Sequence, residues 1–148
     1  MLRRKAFTFV ELLIVITIIG VLSAVAFPQF RKTSARIELD NFAKNIYYLA
    51  LYAQGSAVSG GKVYCLNLLP EEGKIWLTYK EVDSFINIQG RFAKVYKAKE
   101  GTKISSLKTE VYFYPDGSCD DFEVIFEDRF KMKLSLVSSG GVGEIKIQ

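Results

Sequence analysis

The chain has 148 residues, with 20 lysines and arginines against 16 aspartates and glutamates and a formal charge of +4. Arg3, Arg4 and Lys5 supply three of those cations before Phe7, leaving 17 against 16 in the remainder, a balance that argues against a nucleic-acid footprint. Histidine is absent, which removes Ser-His-Asp and Cys-His catalysis and the commonest zinc ligand; no phosphate loop or dinucleotide fingerprint occurs either, so neither enzymatic activity nor a cofactor is expected.

From Phe7 to Phe27 the sequence is a long apolar run interrupted by one charge, Glu11, and followed by Pro28. About 20 residues at ~1.5 Å each cross a hydrocarbon core of ~30 Å, so the run is long enough to span a bilayer. The cations stand on its N-terminal side with no matching cluster right after Phe27, which places the first residues in the cytoplasm and the rest of the chain outside. Two readings of this segment differ in what is kept. As a secretory signal it would be cut after the small residues Ala24, Val25 and Ala26, releasing a soluble protein from Phe27. An apolar signal core has no use for Glu11, however, and the helical pattern continues past that cut through Gln29 and Phe30.

A carboxylate near the start of a membrane helix is costly in lipid unless it is paired or reaches water. Glu11 meets the positive end of the helix dipole and, were the chain cut before Phe7, would lie one turn from a new α-amino group of its own chain or face that of a neighbour. Pairing with a neighbour would favour assembly; snorkelling to the headgroups is the simpler alternative. Gly20 and Pro28 are expected to weaken or kink the helix, or else to mark a small-residue contact and an interfacial stop.

Beyond Pro28 the pattern turns amphipathic. Ala35, Leu39, Phe42, Ile46, Leu49 and Ala53 recur at spacings of three and four, predicting a helix with one buried face that is capped at Gly55. A coiled coil with a partner would show the same stripe, but Tyr47, Tyr48 and Leu51 on its flanks suit packing on a sheet. After Gly55 come a small-residue connector (56–61) and then alternating segments: 63–69 and 74–79 around the turn at Pro70 to Gly73, 92–96 and 109–114. A hairpin sets Phe122, Val124 and Phe126 against Phe130, Met132, Leu134 and Leu136 across Glu127, Asp128 and Arg129, and Ile145 and Ile147 form a last strand after a Gly140, Gly141, Gly143 loop. The Ile86, Ile88 region is ambiguous. The expectation is an α+β chain, its long helix packed on an antiparallel sheet or sandwich.

The string AFTFVELLIVITIIGVLSAVAFPQF resembles the N-terminus of type IV pilins and type II secretion pseudopilins. That resemblance implies a prepilin leader at 1–6, cleavage by the prepilin peptidase between Ala6 and Phe7, N-methylation of Phe7, and Glu11 as the acidic residue of subunit assembly. It departs from the family in having Ala6 where glycine usually precedes the cut. The implied division is a transmembrane helix at 7–28, an amphipathic continuation at 29–55 and a periplasmic β-rich head at 56–148. VYFYPDGSCDDFEVIF, followed by a Gly-rich loop into EIKI, resembles the H-type (FimT-like) minor pseudopilins, which implies a tip or initiating subunit of a type II secretion pseudopilus in the bacterial inner membrane. Its implied partners are other pseudopilins or pilins. The alternatives are a minor type IV pilin serving pilus assembly, adhesion or DNA uptake, and a tethered ligand-binding module; a basic groove on the head would favour the latter kind.

Two further features are weighed on the residues alone. Cys65 and Cys119 would suit an oxidising compartment as a disulfide or as two free thiols. Asp116, Asp120, Asp121 and Glu123 could offer oxygens to calcium, but they lack the ligand order of a known loop, so no metal site is assigned and solvated turn acids are expected.

Overall fold

The computed structural model describes residues 8–148, which fall into two compact units, one reaching Ser34 and the other running from Ala35 to Gln148. The leader at 1–6 and the Ala6–Phe7 junction lie outside the described residues. Helix α1 (Phe9–Gly60) supplies all of the described first unit after Thr8 and the opening of the second.

Within the first unit the apolar side chains of α1 point outward without cover: Phe9, Ile14, Leu22 and Phe27 are all exposed. Among the described residues α1 is the one helix long and apolar enough to cross a membrane. The helix runs unbroken through Gly20 and Pro28. At Pro28 it forgoes the amide bond the ring cannot donate.

In the second unit α1 presents a buried stripe. Leu39, Ile46, Leu49 and Ala53 are fully or almost fully buried as the spacing predicts, Ala35 is buried, and Phe42 is partly buried edge-on to Phe126 with ring centroids 5.5 Å apart. Ala43, Ala50 and Ala57 complete the face. Small side chains there let the helix axis approach the sheet closely while leucine and isoleucine fill the space between.

That sheet is single and antiparallel throughout, which decides between the sheet and sandwich expectations. Its strands are β1 (Tyr64–Leu69), β2 (Lys74–Glu81), β3 (Ser84–Asn87), β4 (Tyr96–Lys97), β5 (Lys103–Ser106), β6 (Glu110–Phe113), β7 (Cys119–Glu127), β8 (Lys133–Gly141) and β9 (Lys146–Ile147). The order is β3-β2-β1-β6-β7-β8-β9, with β4 added on β2 and β5 on β7. Registers put Leu66 opposite both Leu77 and Val111, Leu68 opposite Ile75, and Phe126 opposite Leu134, so one face is a continuous apolar layer that belongs to the same core as the stripe of α1.

Several expected boundaries move. The helix does not stop at Gly55 but continues to Gly60, and Gly61 takes the left-handed conformation (φ 61°) that ends it. Burial of Ala57 outweighs the ~1 kcal/mol that a mid-helix glycine costs, so the 56–61 connector is almost wholly helical. Segment 92–96 reduces to the two-residue β4, because Phe92 leaves the sheet to stack on Tyr52 at 4.5 Å. Phe130 and Met132 lie in the turn rather than in β8: Oδ1 of the buried Asp128 accepts both of their amide N–H groups, at 2.7 and 2.9 Å. Gly140 and Gly141 lie inside β8 instead of the loop. Strand β5 is not signalled by its KISS sequence, which has a single apolar residue, and in the ambiguous Ile86, Ile88 region Ile86 lies in β3 while Ile88 falls just past its end.

Candidate functional site: the helix start and the surfaces of the head

Glu11 is placed by the first turn of α1. Thr8 precedes the helix and its Oγ1 accepts the Glu11 amide N–H at 3.2 Å, while Oε2 of Glu11 accepts both the Thr8 amide N–H and the Thr8 hydroxyl, each at 3.2 Å. This is a reciprocal capping box that satisfies amides a helix start otherwise leaves unpaired. Sequence reading that treated Glu11 as a lone charge missed Thr8, although Thr8-Phe9-Val10-Glu11 is the T-x-x-E signature of such a box. The cap fixes the carboxylate at the positive end of the helix dipole. Oε1 has no partner among the described residues, so the group retains acceptor capacity for a neighbour. Phe7 and Ala6, the cleavage and methylation residues of the resemblance, lie outside the described residues.

Farther along, open space surrounds the position a Cβ would occupy at Gly20. The backbone is therefore accessible at one point of an otherwise bulky apolar surface.

The cysteines do not form a bridge. Both are buried and free. Cys65 lies opposite Thr78 and Tyr112, whereas Cys119 lies opposite Phe113 with Sγ 3.2 Å from Ser138 Oγ. Tyr112 and Phe113 are consecutive on β6 and so face opposite sides of the sheet, which puts the two thiols on opposite faces, beyond the ~4 Å between Cβ atoms that a disulfide needs. Desolvation, reinforced by Glu110, pushes the Cys65 thiol up to about 11, so it is unreactive at neutral pH.

The acidic segment resolves into separate roles. Asp116 accepts from the Ser118 amide at 2.9 Å and from its hydroxyl, which holds its carboxyl below the ordinary range. Asp120 accepts the Tyr112 amide N–H at 3.2 Å, and Asp121 pairs with Lys108 at 2.9 Å. Among the described residues no group of three or more acidic, histidine or cysteine side chains is arranged to hold a metal ion.

Residues 1–27 match the prokaryotic N-terminal methylation motif. The chain is 32% identical over 108 residues to the type IV major pilin protein PilE of Neisseria gonorrhoeae, covering 72% of this chain and 58% of that one. Its fold is that of the minor pseudopilin EpsH from the type 2 secretion system of Vibrio cholerae, with a TM-score of 0.64 over 77% of this chain and 95% of that one at 12% identity. The methylation motif, the pilin relatives and the fold together support the type IV pilin and pseudopilin family. A fimbrial protein of Pseudomonas aeruginosa is 32% identical over 81 residues, covering 55% of this chain and 52% of the relative. The chain thus spans about half the length of that relative. A second structure of EpsH superposes with a TM-score of 0.62 at 10% identity, covering 76% of this chain and 92% of that one.

Proposed function

We propose that this chain is a non-enzymatic structural subunit of a pseudopilus or pilus, a minor pseudopilin of a type II secretion machine. In this reading the prepilin peptidase cuts between Ala6 and Phe7, Phe7 is N-methylated, α1 is retained as a single span of the bacterial inner membrane, and the sheet-bearing head stands in the periplasm. The observation that carries it is Glu11. A carboxylate capped by Thr8 at the start of an exposed apolar helix is expensive in lipid, and a sister chain offering the Phe7 amine converts that expense into cohesion of several kcal/mol. The EpsH-like head favours the secretion machine, while the identity to PilE and the fimbrial protein favours a type IV pilus as the second reading.

Replacement of Glu11 tests the proposal. Glu11→Leu is expected to insert into membranes at the wild-type level yet to co-purify with the other pilin subunits at a small fraction of it. Undiminished co-purification would overturn the assembly role of the carboxylate.

A further inference from the structure

Within the second unit, β7 runs back along α1. The Gly117 carbonyl just before it accepts from Gln54 Nε2 at 3.0 Å, whereas Phe126 near its end stacks edge-on against Phe42. The turn that follows, at 128–132, therefore returns to the end of the head where α1 enters. There a depression of about 540 Å³ lies between α1 and the start of β8, lined by the apolar Ile37, Leu39, Met132 and Leu134 and by the cationic Arg36 and Lys133.

Cations dominate this end. Residues 129–133 contain three of them and no acid, and Arg129, Phe130 and Lys131 at the tip of the turn are all exposed, with the Arg129 guanidinium 5.4 Å from the centre of the Phe130 ring. The acids nearby are already engaged. Asp128 is buried, with Oδ1 on the Phe130 and Met132 amides and Oδ2 withdrawn from solvent; Glu38 pairs with Lys99 at 2.8 Å, Asp40 with Lys44 at 2.7 Å, and Glu127 faces Lys133 at 3.6 Å. Arg36, Arg129 and Lys131 have no ion-pair partner among the described residues. Arg36 also follows Phe27, the end of the apolar run, by only nine residues, which cannot span more than ~30 Å even when fully extended. A bilayer that holds α1 keeps this surface within that reach.

We propose that the 129–131 tip and the adjoining depression dock on the anionic phospholipid surface of the bilayer that α1 spans. The inference rests on the membrane-span part of the reading above and gives the head a lipid partner. A bilayer surface presents phosphates with an apolar region directly beneath them. The exposed cations answer the phosphates, while the Phe130 ring and the apolar lining of the depression answer the region below, as aromatic and basic side chains do together at membrane interfaces. An acidic protein segment would match the cations and leave the exposed ring and the apolar lining without a counterpart. Salt confines such attraction to about 10 Å, so a small set of cations suffices only where a tether supplies a high effective concentration of the surface. The short connection to the apolar run is that tether.

Fluorescence quenching in the full-length protein tests this. Trp76 is the single tryptophan, so Trp76→Phe with Phe130→Trp leaves one reporter, at the tip of the turn. The protein is reconstituted in vesicles that contain a trace of phosphatidylcholine spin-labelled on its headgroup, made of phosphatidylcholine alone or of an equal mixture with phosphatidylglycerol. Quenching of the reporter is expected to be about twofold greater in the anionic vesicles, and Arg36→Glu/Lys131→Glu is expected to bring it back to the level of the neutral ones while Lys131→Arg preserves it. Misfolding cannot imitate the first result, because both lipids are compared on one protein. Equal quenching in the two lipids, or a gain that survives charge reversal, would overturn the docking surface. Charge reversal that lowers co-purification with the other pilin subunits, where anionic lipid had produced no gain, would assign the face to a protein partner and overturn it equally. A protein that resists alkaline extraction from the vesicles yet shows no gain leaves the span reading standing and the docking wrong; one that alkali extracts refutes the span reading and the docking with it.

Discussion

At the scale of single residues, the proposed function rests on an expensive group that has been given a defined place. Glu11 is held by Thr8 through three hydrogen bonds of 3.2 Å, so its carboxylate is oriented before any neighbour arrives. The cysteines show the converse. Their sequence spacing leaves disulfide and free thiols equally open, and only the registers of β1, β6 and β7, which alternate the side chains of Tyr112 and Phe113, place them on opposite faces. A pH dependence follows for Cys65. Its folded-state thiol is raised from 9.0 to about 11 by desolvation, so the neutral form it stabilises is fully present below pH 9.0 and its contribution is lost as pH rises through about 11. Alkylation of the folded protein followed by mass mapping is expected to leave Cys65 unlabelled at neutral pH, and urea midpoints should fall between those two pH values; rapid labelling of Cys65 at neutral pH would contradict its burial.

At the scale of elements, hydrophobic period carried most of the information. The stripe on α1 was readable because its burial obeys the period of a helix, and the β7–β8 hairpin because Phe122, Val124 and Phe126 alternate against Leu134 and Leu136. What escaped reading was set by tertiary context. Ala43, Ala50 and Ala57 look neutral in sequence yet lie fully inside the core, Gly55 is carried through by the burial of Ala57, and β5 is defined by its pairing with β7 rather than by its own side chains. Asp128 reads as a turn residue, but its role is to gather the amides of Phe130 and Met132 beneath the hairpin. Leu49, wholly buried between α1 and the sheet, is the sharpest probe of this packing. Leu49→Ala is expected to destabilise the head by about 2–5 kcal/mol, seen as a lower urea midpoint with unchanged slope, because the rigid surroundings close only part of the cavity. A change below about 0.5 kcal/mol, the range of an ordinary surface substitution, would mean that helix and sheet do not share this core.

At the scale of the whole molecule, the chain has two units, one an exposed apolar helix with an oriented acid and the other a head of helix and sheet. The long apolar helix was legible in the first thirty residues because length, charge placement and the isolated Glu11 leave few physical options for such a run. The packing of the head was less legible, since strand registers, not composition, set which of its side chains share a face. Everything in the account requires that the apolar helix be kept and that its amino end lie at Phe7. Mass spectrometry of the N-terminus of protein recovered from membranes of the native host measures this directly. The account predicts a mature chain that begins with methylated Phe7; a chain that begins at Phe27, with the helix discarded, would contradict it.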